Sequence, residues 1–207
     1  LRLAMAPAYV SAAVLVEAAK RRFDELHRLD PETFTEQDGA TVRPWSVHYH
    51  ERVLTWVLSF DGAPSLELRL AAMSQHLERF KYPRSEFPEG RGGYHRWRTH
   101  AAQMQAERAA QILAEVGFGN ETIDKVKRLL TKADLGQDAD AQILEDAACL
   151  VFIEQELSEF VEKHTDKKVA DVIARTWKKM SSRAHEAAFS LASRLSPRAR
   201  ALLDLAI

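Results

Sequence analysis

The sequence predicts an all-α protein, a single domain of about seven to eight helices over residues 1–207. Two observations predict this class. Apolar residues recur at three- and four-residue steps along most of the chain, which is the period of an amphipathic helix. Strand signals are weak, because β-branched runs are few and no Asn-Gly or Asp-Gly pair joins two alternating segments. A chain of this length can bury a sizeable core.

Three helices are expected in the first part of the chain, separated by links that contain proline and glycine. The first covers residues 8–28, and a polar loop follows over residues 31–44. The second helix covers residues 45–60 and the third covers residues 65–80. The apolar side chains of the third helix share one side. These are Leu66, Leu70, Met73, Leu77 and Phe80.

Five more helices are predicted after a central loop, which runs to about Gly93 because its prolines and glycines exclude a regular element. Four of them cover residues 94–116, 121–132, 138–164 and 166–194, and a short last helix opens at Ser196-Pro197. Gly117 is expected to end the helix over residues 94–116. The helix over residues 166–194 has an alternative, which is a break near Ser181-Ser182.

Composition excludes several classes of protein. The net charge of −1 gives no overall attraction to nucleic acid or to an anionic membrane, so neither is an expected partner. No apolar run approaches the roughly 18 residues of a membrane span. The single Cys149 lies in an apolar run, which favours a buried thiol and a reducing, cytoplasmic location. Met5 is a candidate native start, with residues 1–4 as a remnant added ahead of it. The oligomeric state stays open.

The stretch from Gln75 to Arg98 is the main candidate for a functional site. It holds six basic residues against three glutamates, with aromatic side chains between them. Guanidinium groups match the oxygens of phosphate and carboxylate, and a glycine-rich helix start favours an anion. We interpret this loop as part of a pocket for a small phosphorylated or otherwise anionic ligand; the alternative is that its arginines pin it to internal carboxylates. The expected binding residues are Arg79, Arg84, Arg91, Tyr94, Trp97, Arg98 and Lys178.

Three further residues are candidates for catalysis. His76 lies on the apolar face of the third predicted helix, where it is either a core residue or a catalytic or metal-ligating one. Asp146 lies on an apolar helix face, where a carboxylate must be paired, hydrogen-bonded or metal-bound. Glu107 has the same two interpretations, as a catalytic carboxylate or as a partner for a loop arginine.

Several runs of residues resemble the domain-of-unknown-function 4202 family. The first includes Gln75-His76-Leu77-Glu78-Arg79-Phe80, and Gly93-Tyr94 and Trp97-Arg98 follow it. Two others are Leu144 to Glu154 and Thr176 to Ser181. The resemblance covers nearly the whole chain after the first few residues. It implies no settled activity, because that family has none.

The helix order also resembles a degenerate HD-superfamily domain, which is the fold of many metal-dependent phosphohydrolases. By position, Tyr49 takes the place of the first histidine, Gln75-His76 the place of the His-Asp doublet and Asp146 the place of the last aspartate. Only Asp146 matches outright. The resemblance implies either a rearranged centre for one divalent metal, held by His76 and Asp146 with Glu107 as a further candidate, or loss of the metal.

The leading hypothesis is an HD-like hydrolase that acts on a small phosphorylated or anionic metabolite through the arginine-rich loop. Its arginines would hold the anion and stabilise developing charge, and His76 would act as general acid or base or as a metal ligand. The second hypothesis is a non-catalytic module that binds an anion or an RNA end. A third is an interaction scaffold, which requires a wide exposed apolar face on the helix over residues 166–194.

Overall fold

The computed structural model describes residues 11–36 and 38–206, and within them the chain forms ten α-helices and one two-stranded antiparallel hairpin. The predicted all-α class is confirmed. The proposed start at Met5 lies outside the described residues. The elements are α1 (Ala12–His27), β1 (Thr33–Thr35), β2 (Val42–Pro44), α2 (Trp45–Phe60), α3 (Leu66–Met73), α4 (Gly90–Val116), α5 (Asn120–Thr131), α6 (Ala139–Val151), α7 (Leu157–Lys163), α8 (Asp166–Trp177), α9 (Ser182–Leu191) and α10 (Pro197–Ala206).

Two hydrophobic clusters form the interior, and α6 contributes to both. The first cluster is built from α1 to α6, with Phe23, Val53 and Leu113 among its fully buried side chains. The second is built from α6 to α10, with Leu157 and Leu203 at its centre. Because α6 faces both clusters, eight of its thirteen residues are buried, including the carboxylates of Glu145 and Asp146.

The third predicted helix is shorter than its apolar pattern indicates, since α3 ends at Met73 and not at Phe80. The backbone then turns, and both His76 (φ 60°) and Glu78 (φ 52°) adopt the left-handed conformation. The turn is held from outside the segment, because Gln105 of α4 accepts a hydrogen bond from the His76 backbone N–H at 3.2 Å. Periodicity could not reveal this turn, because Leu77 remains buried after it.

Helix α4 begins at Gly90, earlier than predicted, so Gly90, Gly92 and Gly93 do not prevent a helix here. Gly93 is needed for a packing reason. The preceding loop folds back over the helix so closely that a Cβ on Gly93 would lie 1.6 Å from the carbonyl oxygen of Pro88. A side chain at this position is therefore incompatible with the observed loop.

Two long predicted helices are divided, which explains why ten helices replace the expected seven or eight. A π-helical segment, Phe152–Glu156, separates α6 from α7. The break near Ser181 is confirmed, and the Ser181 side chain caps α9 by accepting a hydrogen bond from the Ala184 N–H. The short hairpin was not predicted, because its three-residue strands are too brief to show alternation.

None of the helices within residues 11–36 and 38–206 combines the length and the apolar character that a membrane span requires.

Candidate anion-binding site

Side chains from seven parts of the fold come together beside the turn that follows α3, and we call this site the basic recess. Tyr49 comes from α2, Arg98 from α4 and Glu145 from α6, while the other members lie at helix ends and links. The members are Tyr49, His76, Arg79, Arg98, Lys132, Glu145, Glu156 and Lys179. The basic recess thus holds four cationic side chains and two carboxyl groups.

His76 lies at the centre of the basic recess. Its ring stacks on the ring of Tyr49 with 3.7 Å between centroids and 8° between planes. Burial lowers the pKa of His76 well below its usual value, and the charges of Arg79, Lys132 and Arg98 lower it further. His76 is therefore a neutral imidazole at pH 7, able to accept one proton and to donate another.

Arg79 extends into the basic recess over an aromatic side chain. Its guanidinium carbon lies 4.5 Å from the centroid of the Trp97 ring, and the Trp97 indole N–H donates a hydrogen bond to the Tyr82 carbonyl oxygen at 2.8 Å. Burial lowers the pKa of Arg79, and the nearby charge of Arg98 lowers it further. Within the described residues Arg79 forms no side-chain hydrogen bond and no ion pair, so its donors are available to a ligand.

Glu145 binds two lysines at the opposite side of the basic recess. Its carboxylate is nearly inaccessible, with 2% of the side chain exposed, and it pairs with the Lys132 ammonium and, at 3.3 Å, with that of Lys179. Burial alone would raise the pKa of Glu145, but the two lysines outweigh it and the pKa is lowered. One carboxylate therefore neutralises only one of two ammonium groups, and both lysines keep more than a third of their side-chain surface in contact with solvent.

Glu156 is the second carboxyl group, and it lies in the π-helical segment. Burial raises its pKa, and the nearby charge of Arg79 only partly opposes this shift. Such a group binds a proton more readily than an ordinary glutamate and can donate it to a leaving group. Segments of π-helix often occur at functional sites.

The residues of the basic recess are strongly desolvated but not fully enclosed. Burial is the largest influence on the pKa values of His76, Arg79, Lys132 and Glu156. Each of these residues nevertheless keeps an intermediate share of its surface accessible. The charges of the basic recess are therefore weakly screened, while part of each of these residues remains accessible from solvent.

The structure brings together four of the predicted site residues, His76, Arg79, Trp97 and Arg98. Arg84 lies apart, because its guanidinium donates to the carbonyl oxygens of Phe87 and Pro88 at 2.7 and 2.9 Å and so holds the loop closed. Other predicted residues point outward. Arg91 and Lys178 are exposed, Tyr94 is 43% exposed beside Arg98, and Glu107 pairs with Lys127 at 3.2 Å on the surface.

Asp146 of α6 has a structural role, because its carboxylate accepts hydrogen bonds on both oxygens. One carboxylate oxygen accepts hydrogen bonds from the Ser181 N–H and the Gln142 side-chain amide, each at 2.9 Å, and the other accepts from the Ser181 hydroxyl at 2.6 Å. These bonds attach the start of α9 to α6. Among the residues that the structure describes, no group of three or more His, Cys, Asp and Glu side chains could hold a metal.

Sequence reasoning did not identify Lys132, Glu145, Glu156 or Lys179 as site residues. A signal was present for Glu145, because it is a carboxylate within the same apolar run as Asp146 and the same burial argument applies to it. Lys132 carried none, since its left-handed backbone (φ 60°) at the end of α5 is visible only in the structure.

Comparison with known proteins identifies the family of this chain. No curated protein matches the chain, and no solved structure does. The family described as Domain of unknown function (DUF4202) matches residues 17–203, a span that includes every member of the basic recess. The resemblance noted in the residues is thereby confirmed. The chain belongs to the domain-of-unknown-function 4202 family.

Proposed function

We propose that this protein binds a small phosphorylated metabolite in the basic recess and hydrolyses its phosphate ester. One observation carries the proposal: among the described residues Arg79 forms no side-chain hydrogen bond or ion pair, and it lies beside Lys132 and Lys179, which share the one carboxylate of Glu145. Uncompensated cations are costly to gather in a desolvated place. A phosphate group supplies the missing negative charge and accepts hydrogen bonds from the guanidinium in a matching geometry.

The same groups suit the reaction. Neutral His76 accepts a proton from the attacking water, and Glu156, whose pKa is raised by burial, donates one to the leaving oxygen from its acid form. Water thus adds to phosphorus, the ester P–O bond breaks, and the products are an alcohol and inorganic phosphate. Arg79 and Arg98 stabilise the charge that develops on the phosphoryl oxygens.

A more specific version of this proposal adds that the fold is HD-like and that the site binds a divalent metal. The stacking of Tyr49 on His76 supports the HD-like comparison, because these residues take neighbouring positions in that pattern. The donor set for a metal is a poor fit, since Asp146 accepts hydrogen bonds on both oxygens from Ser181 and Gln142. No step of the reaction is therefore derived through a metal.

Phosphate release from a panel of phosphorylated metabolites, together with calorimetric titration of inorganic phosphate, tests the proposal. We expect Arg79→Met to weaken phosphate binding roughly 10- to 100-fold, the value of one or two charge-assisted hydrogen bonds. His76→Asn tolerates the left-handed backbone and should lower kcat about 100-fold or more. Arg69→Met, an exposed arginine on α3, is the matched control and should change neither quantity. Phosphate binding that is unaffected by Arg79→Met would contradict the proposal.

The alternative is a non-catalytic module that uses the same basic recess to bind an anion. Phosphate binding that depends on Arg79, without release of phosphate from any ester tested, would favour it. The scaffold hypothesis has less support. Among the described residues of α8 and α9, Phe189 is the large apolar side chain that stands exposed, at 53%, whereas Ile173, Ala184 and Leu191 are buried.

A further inference from the structure

We infer that the ligand of the basic recess is a monophosphorylated polyhydroxy compound, a sugar or polyol phosphate, whose hydroxyl-bearing part lies in a groove between α4 and α5. This inference rests on the proposed function and names its substrate class. A cavity of about 740 Å³ runs between these two helices. Arg98 and Lys132 line this groove and are also members of the basic recess, so the groove and the basic recess adjoin at these two side chains.

The size of the groove indicates a ligand larger than phosphate. Sites for small molecules usually enclose about 300–1,000 Å³, and the groove lies within this range. A phosphate held by Arg79, Arg98 and Lys132 occupies only the inner end. The remainder of the ligand then extends along the groove, over the small side chains of Ala102 and Ala106.

The lining of the groove suits hydroxyl groups. Thr99, Gln103 and Thr131 supply neutral hydroxyl and amide groups that donate and accept hydrogen bonds, and Glu107 and Asp124 supply carboxylates that accept them from sugar hydroxyls. Among the residues described as lining it, there is no Phe, Tyr, Trp, Leu, Ile, Val or Met. His95 is the one aromatic ring among the lining residues described, so a nucleobase would have a single stacking partner there, and an acyl chain would lack large apolar side chains to contact.

Charge in the groove limits the ligand to one phosphate. Beyond Arg98 and Lys132, Lys127 already pairs with Glu107 at 3.2 Å and Arg128 pairs with Asp134. Asp124 adds a further negative charge. A second phosphate placed along the groove would face these carboxylates without a free cation among the lining residues described. A polyphosphate or an RNA strand is disfavoured for the same reason.

Calorimetric titration of the full chain with inorganic phosphate, glucose 6-phosphate and a 5′-phosphorylated oligoribonucleotide tests the inference. We expect glucose 6-phosphate to bind at least tenfold more tightly than inorganic phosphate. Gln103→Leu should weaken glucose 6-phosphate roughly fivefold to tenfold, the value of one hydrogen bond, and leave inorganic phosphate unchanged. Gln111→Leu, an exposed glutamine on the same helix and outside the groove, is the matched control.

The results separate this inference from the proposal beneath it. If inorganic phosphate binds and glucose 6-phosphate binds no more tightly, the groove inference is overturned while the basic recess stands. If Gln103→Leu weakens both ligands equally, the groove inference is overturned as well. Tighter binding of the oligoribonucleotide than of glucose 6-phosphate would contradict the single-phosphate argument. If neither inorganic phosphate nor glucose 6-phosphate binds, the proposed function fails and the inference fails with it.

Discussion

At the scale of single residues, backbone strain coincides with the candidate site. Three non-glycine residues among those described have positive φ, and they are His76, Glu78 and Lys132. Two of the three belong to the basic recess. A left-handed conformation costs a residue with a side chain roughly 1–2 kcal/mol, so the surrounding structure must hold it in place. At Glu78 two ion pairs help to hold the strained backbone, because its carboxylate pairs with Lys81 at 2.5 Å and with Arg108 at 3.2 Å. Strain of this kind is concentrated at functional sites in proteins.

Gly93 provides a test of the loop that carries Arg84. Gly93→Ala should lower the free energy of unfolding by about 1–3 kcal/mol, the usual cost of overpacking, because the new Cβ would meet the carbonyl oxygen of Pro88. Gly92→Ala is the matched control. The nearest atom to its Cβ is the end of the flexible Arg96 side chain at 3.7 Å, so stability should stay constant or rise by up to about 1 kcal/mol. Chemical denaturation of both variants measures the difference, and equal effects would refute this account.

At the scale of elements, Glu145 ties three parts of the fold together. It stands on α6 and binds Lys132 at the end of α5 and Lys179 in the link between α8 and α9. The ion pairs are only partly shielded, because each lysine side chain is exposed by more than a third. Their value is therefore below that of a fully buried pair. The carboxylate is nevertheless what allows the two ammonium groups to remain close together.

Removing this charge should have opposite effects on stability and on binding. Glu145→Gln is expected to lower the free energy of unfolding by roughly 1–3 kcal/mol, because the two lysines lose the negative charge that offsets their mutual repulsion. The folded variant should bind inorganic phosphate more tightly than the wild type, because the positive potential of the basic recess rises. Denaturation and calorimetry measure the two quantities. Weaker phosphate binding by a folded Glu145→Gln protein would show that these lysines do not face the ligand.

At the scale of the whole molecule, buried histidines make stability depend on pH. His27 donates its Nε2–H to the Met73 carbonyl oxygen at 3.0 Å and stacks on His50. Burial and the nearby charge of His50 lower the pKa of His27 from 6.5 to about 3. Asp24 lies beside this pair. Burial would raise its pKa, but hydrogen bonds from His50 and Lys20 outweigh burial and lower it to about 2.

The sign of the pH effect follows from these shifts. Below pH 6.5 the unfolded chain protonates His27 while the native protein does not until about pH 3, so stability is complete above pH 6.5 and falls as the pH decreases. Asp24 adds a loss of the same sign between pH 3.8 and about 2. Denaturation midpoints at pH 7 and pH 5 should differ, with a slope of up to about 1.4 kcal/mol per pH unit for each such histidine. His27→Gln keeps a donor for Met73 and should reduce the slope; an unchanged slope would exclude His27 as a cause.

The sequence predicted the helical class and part of the site. Particular residues show which features sequence patterns could not predict. Helical periodicity placed α2 and α5 within a residue or two, because their apolar faces are continuous. The same periodicity extended the predicted third helix past Met73, because it cannot detect the hydrogen bond that the His76 N–H donates to Gln105 in the turn. The arginine-rich loop indicated Arg79 and Arg98. It could not indicate Lys132 or Lys179, because those side chains reach the basic recess only through tertiary packing.

The position of α6 has a consequence for how the protein is made. α6 completes the core of the first five helices, and Arg52 of α2 is joined to Glu154, just beyond α6, by an ion pair that spans 102 residues of sequence. During synthesis the first five helices therefore leave the ribosome before the surface that covers them exists. Until α6 emerges, their apolar faces stay open to chaperones and to neighbouring chains. Folding should then be completed late, because contacts between distant parts of a sequence form slowly.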